Sequence, residues 1–288
     1  MPPLRPRSPP RRPQGPLCTR QSLVADLRNL GINKGDTLLV HSSLKSMGFV
    51  SGGAETVVSA LLQVLGREGT LVVPAFSCGN SDPSTWKVPP VSLDVDEAWW
   101  PALRASIPAY DPEKTRTLAV GTIPETVRTW PSALRSAHPQ VSFAAIGLHA
   151  GTVTADHALD CCFGEQSPLA RMEGLSARVL LLGVGYHRCT CFHLAEGRVS
   201  SPKMENSFAV TVDGTRRWLT VEDTVINGDD FEELGADFER DCDVRRGFVG
   251  AADCAALSLP EATLYAKKWF QEHRGNMFLY DNTVSSVL

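Results

Sequence analysis

The segment DTLLVH, residues 36–41, is a short apolar run that follows Gly35. An apolar run of this length behind a turn residue predicts a buried β-strand. Apolar side chains then recur at helical spacing over residues 54–65, which predicts a helix, and a second apolar run, GTLVVP, covers residues 69–74. Because strand, helix and strand follow one another here, the segment predicts an α/β architecture.

The chain beyond this segment continues the alternation. Two more apolar runs, at residues 143–147 and 178–185, predict buried strands, and residues 208–219 predict a β-hairpin. Residues 229–243 and 261–273 predict helices. We therefore expect a layered α/β/α fold, with helices on both faces of a central mixed sheet.

Two segments depart from this pattern. Residues 83–112 are rich in proline, tryptophan and acidic side chains, and they predict a long loop. Residues 1–17 hold seven prolines, four arginines and no acidic residue, so they predict a disordered basic tail. A nucleic-acid arm, a targeting peptide and a proline-rich ligand remain alternatives for the tail. The folded body would then span residues 18–288.

Composition limits the possible function classes. The chain has 288 residues, of which 43% are hydrophobic and 21% charged, and its formal charge is −4. This balance is typical of an ordinary globular protein and disfavours nucleic acid as a partner. No apolar run approaches the ~20 residues of a membrane helix, so we expect no membrane partner. The eight cysteines are too dilute for a disulfide scaffold, and we expect a cytoplasmic monomer or homodimer with reduced thiols.

Several well-known catalytic motifs are absent from the sequence. It contains neither a GxGxxG nor a Walker A motif, so nucleotide binding of those types is not expected. It also lacks GxSxG, the nucleophile elbow of α/β-hydrolases.

The segment HSSLKSMG, residues 41–48, stands at the end of the first predicted strand. Ligands in open α/β sheets bind beyond the carboxyl ends of strands, so these serine hydroxyls and backbone N–H groups could hold phosphate or pantetheine oxygens. A serine-rich turn that caps a helix is the alternative.

The segment CTCFHLAE, residues 189–196, follows the strand predicted at 178–185. His193 and Glu196 are three residues apart, so on a helix they share one face, which suits a general base with an acidic neighbour. A hydrogen-bonded capping histidine is one alternative. A zinc site with Cys189, Cys191 and His193 is another, although zinc sites usually pair two such clusters.

Residues 222–243 carry ten acidic side chains and only one arginine. So negative a segment would concentrate a cationic ligand, and a solvated helix face is the alternative.

Short motifs in a shared order resemble the aminoglycoside 3-N-acetyltransferase family over roughly residues 20–275. The matching segments are LGINKGD (30–36), HSSLKSMG (41–48), LVVPAFS (71–77), GTIPETVR (121–128), SFAAIG (142–147), LLLGVGY (180–186) and HLAE (193–196). The resemblance implies the antibiotic N-acetyltransferase type of α/β fold, which is distinct from the GNAT fold, in one catalytic domain.

The resemblance also implies a reaction. Such enzymes transfer an acetyl group from acetyl-coenzyme A to the 3-amino group of 2-deoxystreptamine antibiotics, which inactivates the drugs. An ammonium must lose a proton before it attacks, and a histidine, with an unperturbed pKa of about 6.5, can take that proton. His193 is the predicted base, and by resemblance Glu125 would orient it. A different small amine as acceptor is the near alternative, and a non-catalytic zinc- or ligand-binding protein is the distant one.

The resemblance further implies binding residues, and we expect no metal. The candidates for substrate binding are Glu196, Asp160 and Glu165. The candidates for acetyl-coenzyme A are Ser42, Ser43, Leu44, Lys45, Phe76, Ser77, Arg128, Arg135, Ser136 and Ser142. His138 is ambiguous, and a structural role is favoured because it precedes Pro139. Cys189 and Cys191 depart from the family pattern beside the predicted base.

Overall fold

The computed structural model describes residues 15–87 and 90–274, and its centre is a seven-stranded sheet. In spatial order the strands are β10 (Arg245–Val249), β11 (Ala252–Ser258), β7 (Arg178–Leu182), β2 (Thr37–Ser42), β4 (Thr70–Pro74), β6 (Phe143–Gly147) and β5 (Leu134–Arg135). β2 pairs in parallel with β4 and β7, and the remaining pairs are antiparallel. The predicted central mixed sheet is therefore confirmed.

Helices cover both faces of this sheet. The helices of the described residues are α1 (Arg20–Asn29), α2 (Gly53–Leu65), α3 (Trp100–Ser106), α4 (Thr122–Arg128), α5 (Ala150–Thr154), α6 (Pro168–Gly174), α7 (Phe192–Glu196), α8 (Phe231–Asp241) and α9 (Leu259–His273), of which α3 packs against 3-10 turns and not against the sheet. Successive residues of β2 point to opposite faces, so Leu38 and Val40 enter one core cluster and Leu39 enters the other. Two hydrophobic cores thus hold the layers together, as the layered α/β/α prediction required.

The apolar runs found in the sequence locate the strands because buried strands need apolar side chains on both faces. The runs at 36–41, 69–74, 143–147 and 178–185 correspond to β2, β4, β6 and β7, and the observed ends differ from the predicted ones by at most three residues. The helices predicted at 54–65, 229–243 and 261–273 became α2, α8 and α9.

Other elements were missed or misplaced. Strands β10 and β11 were not predicted, and residues 83–112 contain α3 and two 3-10 turns where we expected only a loop. The short strand β1 (Leu17–Cys18) pairs in parallel with β3 (Phe49–Val50), so Leu17 belongs to the folded body and the predicted boundary after residue 17 is wrong. The rest of the predicted tail, residues 1–14, lies outside the described residues.

The predicted hairpin exists and is longer than expected. It comprises β8 (Lys203–Val212) and β9 (Thr215–Thr224) and forms its own two-stranded sheet. Asn80 joins it to the body, because its Nδ2 donates to the Ala209 carbonyl and its Oδ1 accepts from the Ala209 N–H, both at 2.8 Å. One side-chain amide thus takes both backbone groups of one hairpin residue.

Across residues 15–87 and 90–274, the helices are all too short or too polar to cross a lipid bilayer.

Candidate active site

His193 lies on α7, which begins ten residues after the carboxyl end of β7. Its imidazole stacks on Phe163, with ring centroids 4.9 Å apart and planes 10° apart, and it also packs against Phe231 at 4.7 Å. The side chain is 13% exposed. Two aromatic rings therefore fix the imidazole while leaving part of it open, as a proton acceptor requires.

Glu196 determines which ring nitrogen of His193 is free. His193 Nδ1 lies 2.7 Å from Glu196 Oε2, one helical turn away. Because a carboxylate only accepts hydrogen bonds, Nδ1 carries the proton and Nε2 of the neutral ring is left as the base. The i,i+3 spacing noticed in the sequence thus forms the pair that general-base chemistry needs.

A buried arginine holds the other side of the Glu196 carboxylate. Glu196 Oε1 accepts from Arg274 at 2.5 Å and from the Asn227 N–H at 3.0 Å. Arg274 also donates from Nε to Asp230 at 2.6 Å, and its side chain is 4% exposed. Sequence reasoning missed Arg274, since 78 residues separate it from Glu196 and no local pattern connects them.

The predicted dyad between Glu125 and His193 is wrong. Both oxygens of Glu125 are taken by Arg128, at 2.7 and 2.9 Å, and one of them also accepts from the Thr117 N–H at 3.0 Å. Partial burial alone would raise the pKa of Glu125, but these hydrogen bonds lower it to about 2. Glu196 occupies the orienting position that we assigned to Glu125.

The predicted substrate-binding carboxylates do not converge. Glu196, at 1% exposure, is used by His193 and Arg274, so the expectation that it binds substrate directly is wrong. Glu165 is exposed and paired with Arg198 at 2.6 Å. Asp160 is exposed too, and it forms no ion pair with a described residue.

The acidic segment 222–243 is not one negative surface. Two of its carboxylates are neutralised locally, because Asp237 pairs with Arg240 and Glu239 with Arg246, and Glu232 contacts the His187 imidazole. One member differs: Asp223 is 5% exposed, accepts the Cys162 N–H at 2.7 Å, and makes no ion pair with a described cationic residue. A buried carboxylate normally has a positive partner, so Asp223 is suited to a cationic ligand.

Asp223 lines a cavity of about 330 Å³ beneath the β8–β9 hairpin. Gln140 lines it too; its Nε2 donates to the carbonyls of Asn80 and Ser207, and its buried Oε1 has no partner among the described residues. An unpaired buried acceptor is costly, so a hydrogen-bond donor is favoured there. Two of its lining residues, Cys162 and Ile226, are the chain neighbours of Phe163, which stacks on His193, and of Asn227, whose N–H donates to Glu196.

The segment at the end of β2, where we predicted acetyl-coenzyme A to bind, holds polar groups that have no partner among the described residues. Ser42 Oγ is buried without a hydrogen-bond partner in the described part of the chain. Residues Leu44–Met47 form a 3-10 turn whose first hydrogen bond runs from Ser46 to Ser43, so the N–H groups of Leu44 and Lys45 precede it. The Ser43 N–H is used by Leu182, which excludes it as a ligand donor.

Phe76 and Ser77, after β4, face different surroundings. Phe76 packs against Phe163 with ring centroids 5.7 Å apart, so it stands beside the aromatic support of His193. Ser77 is buried, and its hydroxyl donates to the Pro139 carbonyl at 2.8 Å. Phe76 therefore stays a candidate contact, whereas Ser77 is structural.

The four residues predicted to bind phosphate are used inside the protein. The Arg128 guanidinium is bound to Glu125 and the Glu113 carbonyl, and Arg135 donates to Ser142 and to backbone carbonyls including Ala75. Ser136 and Ser142 are fully buried. The prediction that these residues bind phosphate is therefore wrong, because their hydrogen bonds connect the 110–117 segment to β5 and β6.

His138 has the structural role that we favoured. It is fully buried, its Nδ1 accepts from two backbone N–H groups at 3.2 Å, and its Nε2 faces the Leu159 carbonyl. Burial lowers its pKa well below the usual value, so it stays neutral.

The cysteine pair beside His193 does not form a zinc site with it. The sulfurs of Cys189 and Cys191 are 3.4 Å apart and fully buried, while the His193 imidazole faces Glu196. No three potential ligands converge within residues 15–87 and 90–274. Burial raises the pKa of the Cys189 thiol, which disfavours a reactive thiolate.

A family model described as aminoglycoside 3-N-acetyltransferase matches residues 39–271. The chain belongs to this family. The predicted family and enzyme class, an acyltransferase that uses acetyl-coenzyme A, are thereby confirmed.

Individual relatives extend over most of the chain. An aminoglycoside N(3')-acetyltransferase-like protein, YokD of Bacillus subtilis, is 43% identical over 88% of this chain and 92% of its own, and its crystal structure superposes with a TM-score of 0.86. Aminoglycoside N(3)-acetyltransferase VII of Streptomyces paromomycinus is 37% identical over 92% and 95%. AAC-IIIb, solved as a binary complex with CoASH, superposes at 0.78 with 29% identity, over 89% and 97%.

Proposed function

We propose that this chain acetylates the 3-amino group of 2-deoxystreptamine aminoglycosides, with His193 as the general base. The observation that carries this proposal is the His193–Glu196 pair at 2.7 Å, which stacks on Phe163, the chain neighbour of the cavity residue Cys162. The family relationship supports the aminoglycoside as acceptor. His193 is thus a base with an oriented imidazole, and the cavity that holds Asp223 is the proposed site for a cationic acceptor.

His193 Nε2 takes a proton from the acceptor ammonium, and Glu196 stabilises the imidazolium that results. The freed amine would form the N–C bond as the C–S bond of the thioester breaks, and the imidazolium would return its proton to the departing thiolate. This arrangement needs no side-chain nucleophile, because base, alignment and charge stabilisation are sufficient for direct transfer. Acetyl-coenzyme A supplies the acetyl thioester. Ser42 and the N–H groups of Leu44 and Lys45 would hold it, since none of them has a hydrogen-bond partner in the part of the chain that the structure describes.

Asp223 and Gln140 recognise a second, non-reacting ammonium of the acceptor. The Asp223 carboxylate supplies the charge and Gln140 Oε1 supplies an acceptor, within a cavity whose 330 Å³ lies at the small end of ligand pockets. Glu205, also on the cavity lining, is exposed and adds negative charge at its edge. A polyamine sugar with several ammonium groups suits this arrangement better than a neutral amine.

The test is release of the coenzyme A thiol from acetyl-coenzyme A with gentamicin, kanamycin, neomycin, apramycin and several simple monoamines. We expect turnover with the aminoglycosides and, by NMR of the product, the acetyl group on the 3-amino nitrogen. Turnover confined to the monoamines would reject the aminoglycoside and keep the fold. Thiol release without an acetylated product would reject transfer.

Asp223→Asn tests recognition separately from chemistry. We expect KM for an aminoglycoside to rise about ten-fold with kcat nearly unchanged, because a buried ion pair is lost while the base is untouched. Glu233→Gln is the matched control, since Glu233 is an exposed carboxylate of the same acidic segment. An equal effect of both substitutions would show that only overall charge matters.

A further inference from the structure

We propose that Arg274 and Asp230 are positioning residues that set the pH range in which His193 acts, working through Glu196. The inference rests on the proposed role of His193 as a base. It adds to that role that the charges of Arg274 and Asp230 set how tightly the His193–Glu196 pair binds a proton.

The contacts form an unbroken chain. His193 Nδ1 meets Glu196 Oε2 at 2.7 Å, and Arg274 meets the other oxygen of the same carboxylate at 2.5 Å. Two nitrogens of Arg274 contact the two oxygens of Asp230, with Nε at 2.6 Å from Oδ2. Charge on Arg274 and Asp230 therefore reaches the imidazole through a single shared carboxylate.

Burial makes this coupling strong. Glu196 and Arg274 are almost completely buried, and the Arg274 guanidinium lies 3.9 Å over the Phe270 ring. Solvent screens such a pair much less than a surface pair. Asp230, at the start of α8, is the more accessible end of the chain of contacts.

His41 and Arg188, the charged or titratable groups that interact with one another beside His193, keep a constant charge in the working range. From β2, His41 approaches it, but burial lowers the His41 pKa to about 3, with Arg188 and His193 contributing, so His41 stays neutral. Arg188 is always charged. The packed aromatic rings of Phe163 and Phe231 have no titrating group.

The direction of the effect follows from charge alone. Removal of Arg274 takes one positive charge from the neighbourhood of the His193–Glu196 pair, so the pair binds a proton more tightly, whichever member holds it. The unprotonated pair, which is the active form, then persists only at higher pH. Removal of Asp230 leaves Arg274 less neutralised, and the pair binds a proton less tightly.

A purely structural role predicts something else. Arg274 links α9 to α7 and α8, so its loss would also loosen the packing and reduce activity. Loosening has no reason to move the pH dependence in opposite directions for the two substitutions. The sign of the displacement therefore separates the two roles.

The experiment measures kcat/KM against pH for the full chain. For Arg274→Met we expect the acid limb to move up by about one pH unit, and for Asp230→Asn down by a smaller amount. Arg274→Lys, which keeps the charge but loses the planar fork, should restore most of the wild-type position of the limb. Arg240→Met is the control, since Arg240 forms exposed ion pairs on the surface of α8.

A second readout needs no turnover. Histidine labelled with ¹³C at Cε1 reports protonation of His193 by NMR, with its signal assigned through its loss in His193→Gln. The midpoint should move up in Arg274→Met and down in Asp230→Asn. The wild-type protein could acetylate no amine while these midpoints still move in opposite directions. That result would reject the proposed function and support the claim that Arg274 and Asp230 control protonation of His193.

Two results would overturn the inference. One is an acid limb and a midpoint that stay at the wild-type position in both Arg274→Met and Asp230→Asn. The other is displacement of both variants in the same direction. If Arg274→Met does not fold, Asp230→Asn and Arg274→Lys still test the inference, because both retain a cation at residue 274. A downward displacement in Asp230→Asn with a near wild-type limb in Arg274→Lys would support it, and an unmoved limb in Asp230→Asn would overturn it.

Discussion

Two glutamate–arginine pairs, Glu125–Arg128 and Glu196–Arg274, use the same ions in different ways. At Glu125 the arginine takes both carboxylate oxygens, and the Thr117 N–H adds a third donor. At Glu196 the arginine takes one oxygen and leaves the other to His193. A carboxylate whose two oxygens both bind arginine has only a structural role. A carboxylate that binds arginine through one oxygen can use the other to orient a base.

The largest expected effect tests whether His193, which Glu196 orients, is the catalytic base. His193→Ala should lower kcat about 10²–10⁴-fold, because the acceptor ammonium then loses its proton to solvent. Thiol release under saturating substrates measures the loss. His187→Ala is the matched control, since His187 also contacts a glutamate but is exposed, and it should retain wild-type turnover. Near-normal turnover of His193→Ala would remove it from the mechanism.

An intermediate effect compares the two glutamates directly. Glu196→Gln should lower kcat about ten- to hundred-fold, because a neutral amide stabilises the imidazolium poorly and can also invert the ring tautomer. Glu125→Gln should leave kcat within about two-fold of the wild type, since Glu125 touches neither His193 nor the cavity. A larger loss at Glu125 than at Glu196 would reverse the assignment of the two pairs.

The smallest effect concerns stability at low pH. Folding lowers the pKa of Glu125 from its usual 4.5 to about 2, so this group stabilises the fold above pH 4.5 and the contribution fades as pH falls toward 2. The free energy of unfolding in urea should therefore fall more steeply between pH 4.5 and 2 for the wild type than for Glu125→Gln. Glu113→Gln, at an exposed carboxylate, provides the control. Parallel curves would show that the Arg128 pair contributes nothing.

The sequence predicted the elements whose side chains repeat with a clear period. β2 and β7 are apolar on both faces, and α2 has one apolar stripe, so all three were predicted. β10 was missed because it is an edge strand with two arginines and a glycine, and edge strands need little apolar surface.

Local spacing likewise predicted only part of the site. His193 and Glu196 are one helical turn apart, and that contact was visible in the sequence. The same spacing joins Glu125 to Arg128, which explains why Glu125 is unavailable, although the resemblance suggested otherwise. Arg274, Gln140 and Asp223 reach the site from distant segments, so nothing local could place them there.

The Asn80 contact with Ala209 has a consequence for how acceptor preference can change. Asn80 contacts only main-chain atoms of Ala209, so this contact with the β8–β9 hairpin does not depend on which side chains the neighbouring hairpin residues carry. Residues of β8 and β9 line the cavity that holds Asp223, so their side chains can change while the contact of Asn80 with the hairpin backbone is kept. If the proposed function holds, mutations confined to this hairpin would alter the preference for acceptors and leave His193 in place.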